Sequence, residues 1–313
     1  MRNHVRVRCI LTSVSCIIAA IALMGLQARA DDAVSTASPP VVSVRSNGGV
    51  IRVSGSPDGF VRAAGLQKIK LSRFALDRAA ISRIMLPATQ GQAVFGPRRR
   101  RLRLPARQFL VPNPRGGDDG ILIENPGGDM SIQVPNRVGA LFINAQAGDV
   151  TLVRIRGPYV VSTADGEVRM RNVLGRGMIR TLSGNITLDR VGGDVHIQTA
   201  GGRVLALSSF AGRADVETGG GAIDWNLTGV EAGAYRFRSD EGTIRLGFGA
   251  GVAALVDAQS DGGNVQNLFQ KGAADVRYSS PHALSIAING GGPEITVVSK
   301  SGDISLEPAG PRK

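Results

Sequence analysis

A glycine followed two residues later by Val, Ile or Met recurs at Gly128, Gly148, Gly166, Gly184, Gly202, Gly221, Gly242 and Gly263, with a ninth copy at Gly302. By subtraction the first eight stand 20, 18, 18, 18, 19, 21 and 21 residues apart, and the step to Gly302 is 39, about two periods. Equal spacing in this range is the mark of a solenoid, whose units bury their apolar faces only against their neighbours. An ordinary β-sandwich has no need of equal spacings.

The registers inside the period say which solenoid. Two residues after the glycine stand Met130, Val150, Val168, Ile186, Val204, Ile223, Ile244, Val265 and Ile304, and four residues after it Ile132, Leu152, Met170, Leu188, Ala206, Trp225, Leu246, Asn267 and Leu306. The residues between are mostly polar, so the segment alternates with period two, as a strand buried on one face does. Five residues before the glycine come Ile143, Val161, Ile179, Ile197, Val216, Phe237, Ala258 and Val297. Three before it come Ala145, Thr163, Thr181, Thr199, Thr218, Ser239, Ser260 and Ser299. These two registers share a parity and predict a second strand whose stacked copies form an aliphatic ladder and a hydroxyl ladder, the hydroxyls bonding to neighbouring rungs or to the turn. A further glycine half a period on, at Gly157, Gly175 or Gly177, Gly193, Gly212, Gly233 and Gly251, completes a unit of strand, turn, strand, turn. Apolar spacing of two, β-branched residues in the buried registers and a glycine every ten residues or so argue against helix.

The expected fold is therefore all-β, a single-stranded β-solenoid of about nine to ten rungs with an 18–21-residue repeat, preceded by a basic insertion with a short helix. Residues 1–30 read as a signal peptide: Arg2, Arg6 and Arg8 precede an apolar stretch from Ile10 to Leu26, and Ala28-Arg29-Ala30 offers small residues at the cleavage positions. Both cysteines, Cys9 and Cys16, fall inside it, which leaves the mature chain without a disulfide or a thiolate metal site. Four of the 37 Lys and Arg go with the signal and none of the 25 acids, so the mature charge is 33 minus 25, or +8. A basic exported chain is drawn to anionic envelope polymers or to another envelope protein, and its compartment argues against nucleic acid.

After the signal the sequence divides into a flexible leader (31–40), an N-terminal β segment with a basic insertion (41–120), the repeat array (121–306) and a tail (307–313). A first rung around Gly49 stands apart from the array. Residues 74–85 carry Phe74, Leu76, Ile81 and Ile84 at helical spacing, although Lys68 to Phe74 also alternates as a strand would. The candidate polyanion-binding residues are Arg98, Arg99, Arg100, Arg101, Arg103 and Arg107, because guanidinium forks match phosphate and carboxylate geometry. The competing role for that run is a solvated edge that deters sheet-to-sheet pairing. No apolar segment follows the array to act as an anchor.

Ala147-Gly-Asp-Val-Thr-Leu152, Ser183-Gly-Asn-Ile-Thr-Leu188 and Ser301-Gly-Asp-Ile-Ser-Leu306 share one unit, and Gln133-Val134-Pro135 is followed by Leu141-Phe142-Ile143. On these motifs the chain resembles the bacterial putative-adhesin family of exported β-solenoids, well over 120–306 and loosely over 41–64. The resemblance implies an exported structural or surface-interaction role and supplies no catalytic residues.

The turn acids Asp129, Asp149, Glu167 and Asp303 alternate along the array with Asn185, Arg203, Ala222, Thr243 and Asn264. A column containing arginine and alanine does not hold a row of Ca²⁺, so these acids read as turn formers and no metal or cofactor is expected. Outward groups that registry brings together are Arg169, Asp224 and Arg245 on one face, and His196, Asp215, Arg236 and Asp257 on the other. The expected function is a non-enzymatic exported module, periplasmic or at the cell surface. The alternative is a polysaccharide-active β-helix enzyme built on one of those faces.

Overall fold

A computed structural model of the chain describes residues 33–36, 39–65, 69–74, 120–231, 233–270 and 272–309. The expected signal peptide, the arginine run, residues 75–85 of the expected helix and the end of the tail lie outside the described residues. Among the described residues there is no helix, and the strand alternative holds at Lys70–Phe74.

Each repeat is a pair of strands, one before and one after its ladder glycine, and the repeats stack in parallel register into two facing sheets. The stacking order can be read from one recurrent hydrogen bond. The amide two residues after a ladder glycine donates to the carbonyl one residue after the next: Met130 to Val50, Ile51 to Asp149, Val150 to Glu167, Val168 to Asn185 and Ile186 to Arg203, each 2.8 Å. The series continues with Val204 to Ala222, Ile223 to Thr243 and Ile244 to Asp303 at 2.9 Å, and Ile304 to Asn264 at 2.8 Å. The rungs therefore run in space as Gly128, Gly49, Gly148, Gly166, Gly184, Gly202, Gly221, Gly242, Gly302 and Gly263.

That order departs from sequence order at both ends. The Gly49 rung joins the array instead of standing apart, with Val41–Ser46 between Gly120–Asn125 and Ala140–Ala147, and Ile51–Ser56 between Met130–Pro135 and Val150–Arg156. At the other end Glu294–Ser299 and Ile304–Pro308 slot between the Gly242 and Gly263 rungs. The 39-residue step before Gly302 thus contains no extra rung; it holds a hairpin, Ala274–Ser279 and Ala283–Ile288, laid antiparallel on Ala254–Ser260. Antiparallel strands also cover the opposite end, Phe60–Gly65 on Met130–Pro135 and Lys70–Phe74 on Gly120–Asn125. Ala33–Ser35, expected within a flexible leader, is instead a strand paired with Phe60–Gly65, and its Val34 packs on the core. These strands cap ends that would otherwise leave open core and unpaired backbone.

The inward registers fill the space between the sheets. Ile51, Val150, Val168, Ile186, Val204, Ile223, Ile244 and Ile304 are fully buried, as are Leu152, Leu188, Trp225, Leu246 and Leu306. Trp225 fills the core with its Nε1–H on Ser209 Oγ at 2.6 Å and its ring edge-on to Phe237 at 5.5 Å. The pattern decays only in the Gly263 rung, where Val265 is partly buried and Asn267 exposed. That rung has a solenoid neighbour on one side alone.

Glycine is required at the ladder turn by the closeness of the stack. A Cβ on Gly184 would fall inside the carbonyl of Gly166, and the same holds for Gly202 against Gly184 and Gly302 against Gly242. The hydroxyl register then closes the turn. Thr181, Thr199, Thr218, Ser239, Ser260 and Ser299 each accept the amide of the glycine three residues on, at 2.8–3.0 Å. Ser260 also donates to the Gly302 carbonyl of the neighbouring rung at 2.9 Å. Gly251 belongs to no such ladder, since nothing lies within 4 Å of where its Cβ would be.

Two stability measurements check this geometry. Ile186→Asp buries an unpaired carboxylate and should cost about 3 kcal/mol or more, while Thr187→Val, one residue on and outward, should change stability by no more than about 0.5 kcal/mol. Equal losses of melting temperature would show the inward register to be misassigned. Gly184→Ala should likewise cost about 3 kcal/mol or more by forcing adjacent rungs apart, whereas Gly251→Ala should stay within about 1 kcal/mol of wild type in chemical denaturation.

Candidate functional site

Outward side chains form columns across the rungs, because parallel in-register pairing places the same rung position of successive strands side by side. On the sheet before the ladder glycine one column reads Val160, Met178, His196, Asp215, Arg236, Thr296 and Asp257. Three of the expected outward residues are therefore adjacent, but Asp257 is separated from Arg236 by Thr296 of the inserted last rung. The next column, two residues along, reads Ser162, Arg180, Gln198, Glu217, Arg238 and Val298.

The two columns bring His196, Gln198, Asp215, Glu217, Arg236 and Arg238 onto three neighbouring strands. His196 Nδ1 lies 3.1 Å from Asp215 Oδ2. That hydrogen bond, opposed by burial and aided by the charges of His196 and Arg236, holds the Asp215 carboxyl below the ordinary carboxylate range. Glu217 moves the other way, raised by burial and by Asp215 against the opposing pull of Arg238. Glu217, Gln198 and Arg238 are missing from the sequence expectation. Their two-residue offset from His196, Asp215 and Arg236 was the signal that could have found them.

On the opposite sheet the charges pair off. Arg169 bonds to Glu167 and approaches Asp149 at 3.9 Å. Asp224, buried despite its outward register, accepts from Arg203 Nε at 2.8 Å and lies 3.5 Å from Arg245 Nη1, and Arg245 reaches Glu307 at 3.9 Å. The turn acids act within the backbone: Asp129 accepts the amide of Val50, Asp149 that of Glu167 and Asp303 that of Asn264, at 2.8–3.0 Å, and Asn185 does the same for Arg203. Among the described residues no three His, Cys, Asp or Glu side chains gather as a metal-ligating group, and no helix is long and apolar enough to cross a membrane.

The turn that joins the two sheets on the far side from the ladder glycines is strongly basic. Arg137, Arg154, Arg156, Arg171, Arg176, Arg190 and Arg213 are exposed at or beside five successive copies of this turn. Asp189 lies 3.2 Å from both Arg171 and Arg190, and Asp194 lies 3.2 Å from Arg176. No carboxylate among the described residues pairs with Arg137, Arg154 or Arg156. Arg154 and Arg190 sit with φ of 56° and 53°, and Asn172 in the rung between has φ of 54°. This left-handed bulge suits glycine or asparagine and strains an arginine. The basic run Arg98, Arg99, Arg100, Arg101, Arg103 and Arg107 lies outside the described residues. The described chain leaves the array at Phe74 and rejoins it at Gly120, which are paired with each other where the first rung leaves this same corner.

The family model described as Toastrack DUF4097 matches residues 107–307. The chain belongs to this Toastrack family. The match spans the 120–306 segment on which the resemblance to the putative-adhesin family rests, and takes in the described solenoid from Gly120 onward. Among solved structures, a putative cell adhesion protein from Clostridium sporogenes ATCC 15579 aligns over 88% of this chain and 96% of its own at 11% identity, with a TM-score of 0.23, too low to bear on fold or role. No curated protein matches the sequence.

The raised carboxyl of Glu217 makes a pH-dependent prediction for this Toastrack domain. Below the ordinary glutamate range near pH 4.3, Glu217 is protonated in both folded and unfolded chains and has no effect on their balance. As pH rises through the ordinary value towards the raised folded one, the unfolded chain ionises first, and folded stability falls. Glu217→Gln should therefore raise the melting temperature at pH 7, and the gain should vanish by about pH 4. A gain that persists unchanged in acid would mean that Glu217 is not held against ionisation.

Proposed function

We propose that this protein is an exported, non-enzymatic β-solenoid that acts as an adhesin-type or cell-envelope interaction module, in the periplasm or at the cell surface. The observation that carries this reading is the ten-rung stack itself, traced by the unbroken series of inter-rung amide bonds. Such a stack offers long, rigid faces with side chains repeated about every 4.8 Å, suited to extended partners rather than to a small substrate. Membership of the Toastrack family and the mature charge of +8, obtained above by subtraction, support the same reading. Its partners would be anionic envelope polymers or another envelope protein.

One observation favours the second reading, a polysaccharide-active enzyme. Asp215 and Glu217 lie on one strand face beside His196 and two arginines, with carboxyl pKa values displaced in opposite directions. Opposed shifts are how acid and base roles are divided between two carboxyls. Release of new chain ends from an acidic polysaccharide, abolished in Glu217→Gln, would establish the enzyme; polymer binding without cleavage keeps the module.

The binding reading is checked by retention of the protein on fractionated envelope polymers at low and high salt. Arg98, Arg99, Arg100 and Arg101 changed together to Gln should weaken retention and flatten its salt dependence, since exposed charges act through a screened field. Circular dichroism should show the β array intact. Unchanged retention at low salt would remove the basic run as a contact and leave the solenoid's own surfaces.

A further inference from the structure

The geometry points to a second polyanion site, built into the solenoid itself: we propose that the corner bearing Arg137, Arg154, Arg156, Arg171, Arg190 and Arg213 binds a linear acidic polysaccharide. It rests on the polymer-binding reading above and names a surface independent of residues 98–107.

Three features of the corner carry it. The first is charge: seven arginines stand against three acids, Asp189, Asp194 and the Glu231 that reaches the Gly212 turn, and among the described residues Arg137, Arg154 and Arg156 have no carboxylate partner. The second is shape. Five successive turns at about 4.8 Å per rung make a straight cationic line of roughly 19 Å. On the flanking sheets part of the charge pairs internally, as in Arg203–Asp224–Arg245. A line of closely repeated positive charge suits a chain of anionic residues better than a plane of lipid headgroups, and guanidinium forks meet carboxylate or sulfate groups in bidentate fashion.

The third is strain. Arg154 and Arg190 hold the left-handed bulge that Asn172 occupies between them. A backbone requirement alone would be better met by Gly or Asn, so long cations there are kept against the local preference. Such a conflict fits a residue whose role lies outside the fold.

The test uses immobilised dextran sulfate and polygalacturonate, with phosphatidylglycerol vesicles as the membrane probe. Arg137, Arg154 and Arg156 changed together to Gln should weaken polymer affinity about tenfold or more and lower its salt dependence. A control triple removing the same charge from exposed sites elsewhere, Arg52, Lys70 and Arg277 to Gln, should change affinity by no more than about threefold. Arg154→Asn should keep or raise the melting temperature while weakening retention, a split that a structural role for Arg154 does not produce. Equal losses from the two triples, or none from the corner triple, would overturn the site. So would binding to vesicles in place of polymers. Wild-type retention lost only on changing Arg98 to Arg101 would refute the corner and leave the module reading intact. Absence of wild-type retention on any anionic polymer at low salt would end both.

Discussion

At each ladder turn the carbonyl of one glycine occupies the space that a side chain on the next would need, and the following amide donates across the rung boundary. Everything else in the array is spaced by that contact. It sets the rung separation at the strand-to-strand distance of a sheet, so the turns stack as tightly as the strands they join. The hydroxyl three residues earlier satisfies the glycine's own amide, which would otherwise be buried without a partner. The inward aliphatics pack because their neighbours above and below are held in the same register.

A stack of this kind has two ends, and both are handled alike. The rung that comes first or last in sequence is tucked one place inward, and the outermost rung is covered by antiparallel strands. Tucking gives the strands of these two rungs hydrogen-bonded neighbours on both sides, so neither presents an open edge. The inserted last rung also rearranges the surface, since it puts Thr296 between Arg236 and Asp257.

Parallel in-register stacking turns every outward position into a column, and opposite charges meet at several places along or beside these columns. Arg169 meets Glu167, and Arg203 and Arg245 share Asp224, while His196 and Asp215 meet through a hydrogen bond. At the far turn arginines recur with few acids between them, and two of them occupy a strained backbone conformation. The only carboxyl pair with opposed displacements, among the described residues, is Asp215 and Glu217, set on an open sheet face next to His196.

The sequence by itself determined the rung. Glycine spacing, the aliphatic registers from Ile143 to Val297 and from Met130 to Ile304, and the hydroxyl register are local regularities, and a strand buried on one face writes them directly into the chain. Only the tertiary structure decided which rung lies on which. Gly49 and Gly302 carry the same local signal as their neighbours, and nothing in a repeating motif records that one stacks before Gly148 and the other before Gly263. The same holds for the surface. Column neighbours such as His196 and Asp215 follow from consecutive repeats, whereas the separation of Arg236 from Asp257 and the gathering of arginines on one corner depend on stacking order and on where the bulges fall. Backbone pairing between rungs is nearly indifferent to side-chain identity, so the array specifies its unit far more sharply than its order.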